Sequence, residues 1–119
     1  QWLHAAAENT GLADASVDLI SSFLMFHELP QIAANNIFQE ANRLLRSGGY
    51  FCIMDMNPYS EAYKKMPPYI FTLLKSTEPY LDQYFSLNIE ESLVDQGFKT
   101  QKIISISPRH RAVIAKKIN

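Results

Sequence analysis

Only a few side chains in this 119-residue sequence are of a type and placement to do chemistry. His27, in Phe26-His27-Glu28-Leu29-Pro30, has a side chain whose ordinary pKa lies near neutrality. It follows an apolar stretch and precedes a helix start, so it reads either as a proton acceptor or as a surface histidine of a first turn. Asp55 closes the apolar run 50–56 (YFCIMDM) and reads either as a cap or turn acceptor or as a contact to a substrate. Cys52, inside the same run, reads as a small packed residue. Aromatic residues gather at Tyr59, Tyr63, Tyr69 and Phe71, and again at Tyr80, Tyr84 and Phe85. They would either line a pocket for a flat or apolar molecule or pack over a sheet. Arg109-His110-Arg111 reads as a solvated turn. No metal site is expected.

The composition narrows what these residues can serve. Hydrophobic residues make up 47% and charged residues 19%, an ordinary globular balance. A net charge of −1 gives no electrostatic case for nucleic acid or for an anionic membrane surface. Cys52 is the single cysteine, so no disulfide framework is available, and a reducing, cytoplasmic setting is the simple reading. No apolar run approaches the roughly 20 residues of a membrane span. The opening QWLHAAAENTG shows no basic leader with an apolar block. A chain that opens on Gln1 in mid-pattern is expected to be a piece of a longer protein.

The elements that would position the reactive residues can be read from the spacing. Residues 8–16 are polar and read as a loop. Residues 17–26 (VDLISSFLMF) are nearly all apolar after Asp18 and predict a strand buried on both faces, as in a parallel sheet. Pro30 suits a helix start, and Ile37, Ala41, Leu44 and Leu45 then fall on one helical face. Glu40, Arg43 and Arg46 are expected on the other faces, with both arginines in the last turn. Ser47-Gly48-Gly49 should stop that helix, one glycine taking a left-handed cap. Residues 50–56 predict a second buried strand, which completes a right-handed βαβ unit. Residues 59–75 read as an irregular helical region interrupted by Pro67-Pro68. Asn88 to Glu91 suggests a capping box for a short helix ended by Gly97. Residues 98–107 and 111–118 predict strands joined through Pro108-Arg109-His110 as an antiparallel hairpin.

A parallel sheet closed by an antiparallel hairpin resembles the C-terminal half of a class I S-adenosylmethionine-dependent methyltransferase. Specific residues carry the resemblance. HAAAENTGLADASVDLI (4–20) is similar to the family's approach to strand four, and FHELP (26–30) to the segment just after it. FQEANRLLRSGGYFCIMD (38–55) is similar to the Glu-x-x-Arg-x-Leu-x-x-Gly-Gly passage into strand five, and LVDQGFKTQKI (93–103) to the Leu-x-x-x-Gly-Phe entry to strand six. The subgroup most similar by look is the small-molecule type, that of ubiquinone/menaquinone C-methyltransferases. Ser47 stands where the family usually has Pro, and Ala6 where many members carry an acid. The four glycines are Gly11, Gly48, Gly49 and Gly97, and none of them makes the Gly-x-Gly loop with which the family holds the methionine part of its cofactor.

The resemblance implies an α/β fold: a partial Rossmann-like methyltransferase sheet, parallel strands ending in an antiparallel hairpin, with the N-terminal cofactor-loop half absent. Residues 1–119 would be the C-terminal portion of one methyltransferase domain. S-adenosylmethionine would be the cofactor of the full-length parent and a small molecule its methyl acceptor, with this portion inactive alone. Ala6, Ala7 and Glu8 would lie beside the adenine, and Ser22 and Phe23 near the methionine end. Phe26 and His27 would border the methyl donor or the acceptor, with His27 as base if the acceptor must lose a proton. Asp55, Tyr59 and Tyr63 would touch the acceptor. The competing readings are a non-catalytic α/β interaction domain that lacks the cofactor loop, and another α/β enzyme such as a reductase, against which the hairpin weighs. In the family, strand one sits beside strand four. Without it, residues 17–26 would present an unpaired apolar edge, which is expected to drive self-association, and residues 1–5 would be disordered or swapped.

Overall fold

A computed structural model describes residues 2–118 of the chain. The elements run β1 (Val17–Phe23), a 3-10 turn (Phe26–Glu28), α1 (Gln31–Leu44), β2 (Leu45–Met56), α2 (Glu61–Lys64), α3 (Pro68–Thr77), α4 (Leu81–Ser86), α5 (Ile89–Asp95), β3 (Phe98–Ser107) and β4 (His110–Lys117). The sheet order is β1-β2-β4-β3. β1 pairs parallel with β2, which requires a crossover, and α1 supplies it. β4 is antiparallel to both of its neighbours, so the expected hairpin of β3 and β4 is present, with β4 folded inside the sheet. The expected α/β class, a parallel pair closed by an antiparallel hairpin, is the observed one. Gln1 lies outside the described residues; residues 2–5 have no regular secondary structure, and Trp2 and Leu3 are exposed.

One face of the sheet holds the core. Phe51 and Ile53 of β2, Val113 and Ala115 of β4, and Phe98 at the start of β3 pack against Ala34, Ile37, Phe38 and Ala41 of α1 and Ile89 and Leu93 of α5. The helical stripe at Ile37, Ala41 and Leu44 is buried, as its spacing requires. Rings carry much of the contact: Phe51 lies 5.7 Å from Phe98, 6.0 Å from Phe38 and 6.4 Å from Phe26, centroid to centroid.

Several expectations are corrected. β1 stops at Phe23 instead of continuing to Phe26, because Leu24 turns the chain at φ 54° into the 3-10 turn. Nor is β1 buried on both faces: Leu19 is 65% and Phe23 66% exposed. It is an edge strand, hydrogen-bonded on the β2 side only. α1 ends at Leu44 and β2 begins at the next residue, so Arg46 lies in a strand and pairs with Asp18 rather than with a helix dipole. The positive-φ glycine is Gly48, at φ +81°, within the irregular start of β2 and not at a helix cap. Residues 80–87, read only as an aromatic run, contain α4. The proline-broken helices and the Asn88 cap, whose side chain accepts from Glu91 N at 3.1 Å, follow the expectation.

Gly49 has no room for a side chain. A Cβ there would sit 2.9 Å from Arg46 O and 3.0 Å from Asp18 O, both backbone atoms of the β1–β2 junction. Gly49→Ala is therefore expected to destabilise the fold by about 1–3 kcal/mol. Gly48→Ala meets nothing closer than 3.8 Å, but a side chain at that φ costs about 1–2 kcal/mol. Urea denaturation of the two variants followed by circular dichroism measures both.

Candidate functional site

The carboxyl ends of β1 and β2 bring His27 and Asp55 together. β1 hands the chain through Leu24 to the 3-10 turn, which carries Phe26 and His27 back over the end of β2. Asp55 is 2% exposed. Its Oδ2 accepts from Phe26 N at 2.8 Å, and its Oδ1 accepts from Met56 N and from His27 Nδ1, each at 2.8 Å. A carboxylate with two amide donors acts as acceptor, so His27 Nδ1 carries the hydrogen of that bond, and in the neutral ring Nε2 is the nitrogen left to accept. That Nε2 lies 3.9 Å from Glu28 Oε1 and 3.9 Å from Glu78 Oε1. No metal site was expected, yet among the described residues His27, Glu28 and Glu78 offer ligand atoms all within 4.8 Å of one another. Tyr84 packs edge-on to the His27 ring at 6.4 Å, and its hydroxyl donates to Met56 O. Burial pushes the Tyr84 phenol well above its ordinary value, so it stays a donor.

Two acceptor-contact expectations change. Phe26 is fully buried, with its ring 5.0 Å from Phe38, and belongs to the core rather than to a ligand surface. Asp55 has its oxygens engaged by protein donors, so its side chain braces the His27 turn instead of facing a substrate. Tyr63 is half-buried and packs with Phe85 at 5.0 Å, and Phe71 joins them at 5.2 Å from Phe85. Tyr59 is exposed and lies against Arg111, whose guanidinium carbon is 5.5 Å from the ring centroid. Tyr69 and Tyr80 face solvent.

A groove of about 430 Å³ runs along the open edge of β1. Ala7, Ser22 and Phe23, three of the expected cofactor contacts, line it together with Leu19, Ile37 and Ala41. Ser22 Oγ is buried there without a hydrogen-bond partner. Ala6 instead bridges to Asn9, and Glu8 faces a separate polar depression beside Asn36 and Arg43.

The groove wall depends on a residue that sequence reasoning placed on an outer face. Glu40 is buried, and its Oε2 accepts from Thr10 N at 2.8 Å and Thr10 Oγ1 at 2.7 Å. Arg43 forks onto both of its oxygens at 2.8 Å and also reaches Asp14. The arginine hydrogen bond holds the Glu40 carboxyl down at about 2. The i, i+3 spacing of Glu40 and Arg43 was the available signal, and Thr10, thirty residues away, could not be read from it. Because the folded-state pKa is depressed, Glu40 stabilises the fold fully above its ordinary value and loses that contribution as the pH falls through about 2. Glu40→Gln is expected to cost on the order of 1 kcal/mol at pH 7, since Arg43 is partly solvated, and much less near pH 2. Urea midpoints of both proteins at the two pH values check this.

Arg111 was read as part of a solvated turn and is 6% exposed. It shares a face with Val113 and Ala115 on an interior strand, and that two-residue period was the signal for its burial. Among the described residues no helix is long and apolar enough to cross a membrane.

Comparisons with known proteins agree with this architecture. A family model described as a methyltransferase domain matches residues 1–53. No curated protein matches the chain. Among solved structures, an S-adenosylmethionine-dependent methyltransferase from Aquifex aeolicus superposes with a TM-score of 0.69 at 19% identity, covering 99% of this chain and 55% of that one. PigF with SAH gives 0.67 at 20% identity, covering 96% of this chain and 34% of that one. Geranyl diphosphate C-methyltransferase from Streptomyces coelicolor A3(2), in complex with Mg2+, geranyl-S-thiolodiphosphate and S-adenosylhomocysteine, gives 0.67 at 10% identity. That match covers 94% of this chain and 49% of the other. The chain thus spans between about a third and just over half the length of these structures. Its four-stranded sheet is similar in fold to part of the Aquifex aeolicus methyltransferase, and its first 53 residues are similar to a methyltransferase domain.

Proposed function

We propose that these residues are the C-terminal portion of a methyltransferase domain whose parent protein transfers a methyl group from S-adenosylmethionine to a small-molecule acceptor. The observation that carries the reading is the fold: the chain, with its sheet order β1-β2-β4-β3, one parallel pair and an antiparallel hairpin, superposes over 94–99% of its length on two methyltransferases and on PigF with SAH. The small-molecule acceptor draws support from the geranyl diphosphate enzyme, and the ubiquinone/menaquinone C-methyltransferase type from the motifs of residues 26–55. The lone Cys52 and the net charge of −1 support a cytoplasmic protein that acts on neither nucleic acid nor a membrane.

The residues present fit part of the cofactor. The groove beside β1 offers an apolar floor and one unpartnered hydroxyl, Ser22 Oγ; its one acid, Glu40, is taken up by Thr10 and Arg43, and there is no glycine loop. Ala7, Ser22 and Phe23 are its contacts here, with Ala6 and Glu8 at its margin. Bound S-adenosylmethionine supplies an electrophilic methyl group on a sulfonium. His27 takes the acceptor's proton on Nε2 where one must leave, and Asp55 holds the imidazole in the required tautomer. Tyr59 and Tyr63 form the acceptor side of the site.

Calorimetric titration with S-adenosylhomocysteine tests the reading. The whole protein encoded by this reading frame should bind in the micromolar range, near −8 kcal/mol. Residues 1–119 alone should bind far more weakly. Absence of binding to the whole protein overturns the reading.

The exposed β1 edge favours a second reading, an interaction domain that recruits another copy through that strand. Leu19 and Phe23 project from an edge with free backbone donors and acceptors, a template for strand addition. Light scattering on residues 1–119 is expected to show a concentration-dependent dimer that Leu19→Lys abolishes. A monomer at all concentrations removes this reading.

A further inference from the structure

β4 begins at the same end of the sheet where β2 finishes, and its first buried side chain is Arg111. Arg111 stands directly opposite Asp55 across the β2–β4 ladder. Opposite charges in that position ordinarily pair. Here they do not, because Asp55 is engaged by Phe26 N, Met56 N and His27. Among the described residues Arg111 forms no ion pair, and its Nε is buried without a hydrogen-bond partner. A buried guanidinium nitrogen without a partner is costly, and the face of Tyr59 offsets only part of that cost.

The place Arg111 lines is a cleft of about 350 Å³, of a size that suits a small metabolite. Its inner wall also presents Thr100, whose Oγ1 is a second buried group without a partner. Its outer wall carries Glu90 and Glu91 from the first turn of α5. The cleft therefore has a cationic, hydroxyl-bearing floor and an acidic rim, with an aromatic ring at one side.

We propose that this cleft binds a small zwitterion of the amino-acid type, its carboxylate held by Arg111 and Thr100 and its ammonium facing Glu90, Glu91 and the Tyr59 ring. The planar fork of the guanidinium matches a carboxylate bidentately, which a surface lysine would not do. The acidic rim disfavours a dianion such as phosphate and favours a ligand that brings its own positive charge. The inference stands on the Arg111 cleft alone and does not require the methyl-transfer reading.

Amide-resolved NMR titration of residues 1–119 tests it, with free L-α-amino acids, the matching α-keto acids and simple primary amines as probes. At least one amino acid is expected to give saturable shifts at Thr100 and Arg111, and to bind at least tenfold more tightly than its keto acid or amine counterpart. Arg111→Met is expected to weaken that binding at least tenfold while leaving the melting temperature unchanged or raised, because it removes an unpaired buried charge. A keto acid that binds as tightly as the amino acid overturns the zwitterion assignment. Absence of saturable shifts with every probe, or unchanged binding in Arg111→Met, overturns the site. A melting temperature lowered by Arg111→Met shows that the guanidinium has a protein partner and overturns it as well.

Discussion

Asp55→Ala is expected to destabilise the protein by about 3–5 kcal/mol, a large part of the 5–15 kcal/mol that holds a typical domain together. The reason is the number of donors that would be stranded. Phe26 N, Met56 N and His27 Nδ1 all end on this one carboxylate, which is itself only 2% exposed. Each buried donor left without an acceptor costs about 1–3 kcal/mol. Asp55→Asn keeps the volume but turns an NH2 group toward one of those donors, so an intermediate loss is expected. Urea unfolding followed by circular dichroism ranks the three proteins. On the proposed methyl-transfer reading, Asp55→Asn in the whole protein should also lower the rate more than it weakens S-adenosylhomocysteine binding, because the side chain holds the His27 ring and does not line the groove.

Phe51→Ala is expected to cost about 3–5 kcal/mol by a different route. Phe51 is the ring around which Phe26, Phe38 and Phe98 are arranged, so it joins the turn after β1, helix α1 and the start of β3. Removing it leaves a cavity walled by three elements that hydrogen bonds hold apart, and the site cannot collapse to fill it. Phe51→Leu retains most of the volume and should cost well under half as much. Denaturant midpoints with an unchanged slope would show that stability alone has moved.

The periodic parts of the fold were legible in the sequence, and the residues whose roles depend on distant partners were not. The α1 stripe, the β2 run and the closing hairpin follow from spacing alone, because burying one face is a local demand on the sequence. His27 and Asp55 were both singled out, but their pairing needs the turn after β1 to fold over the end of β2, and no spacing encodes that. Phe26 shows the cost: next to a functional-looking histidine it reads as a ligand contact, yet it is the histidine's anchor in the core. Glu40 was placed off the apolar face of its helix by spacing and Arg111 in a solvated turn by its charged neighbours, and both are buried. Glu40 acquired Thr10 and Arg43, whereas Arg111 was buried by the alternation of its own strand. β1 failed the opposite way, since an apolar run shows that burial is wanted and not which faces are covered.

The interior place of β4 has a consequence for biosynthesis. Among the described residues β4 is the last strand, yet it sits between β2 and β3, and β3 pairs with β4 alone. On the ribosome, β1, α1 and β2 can form their parallel unit early, while β3 emerges with no partner for its backbone. The sheet closes only when residues 110–117 leave the exit tunnel and slot between strands already made. A premature stop after residue 109 would therefore cost two strands, not one, and would leave β2 as a second raw edge for cellular quality control to recognise.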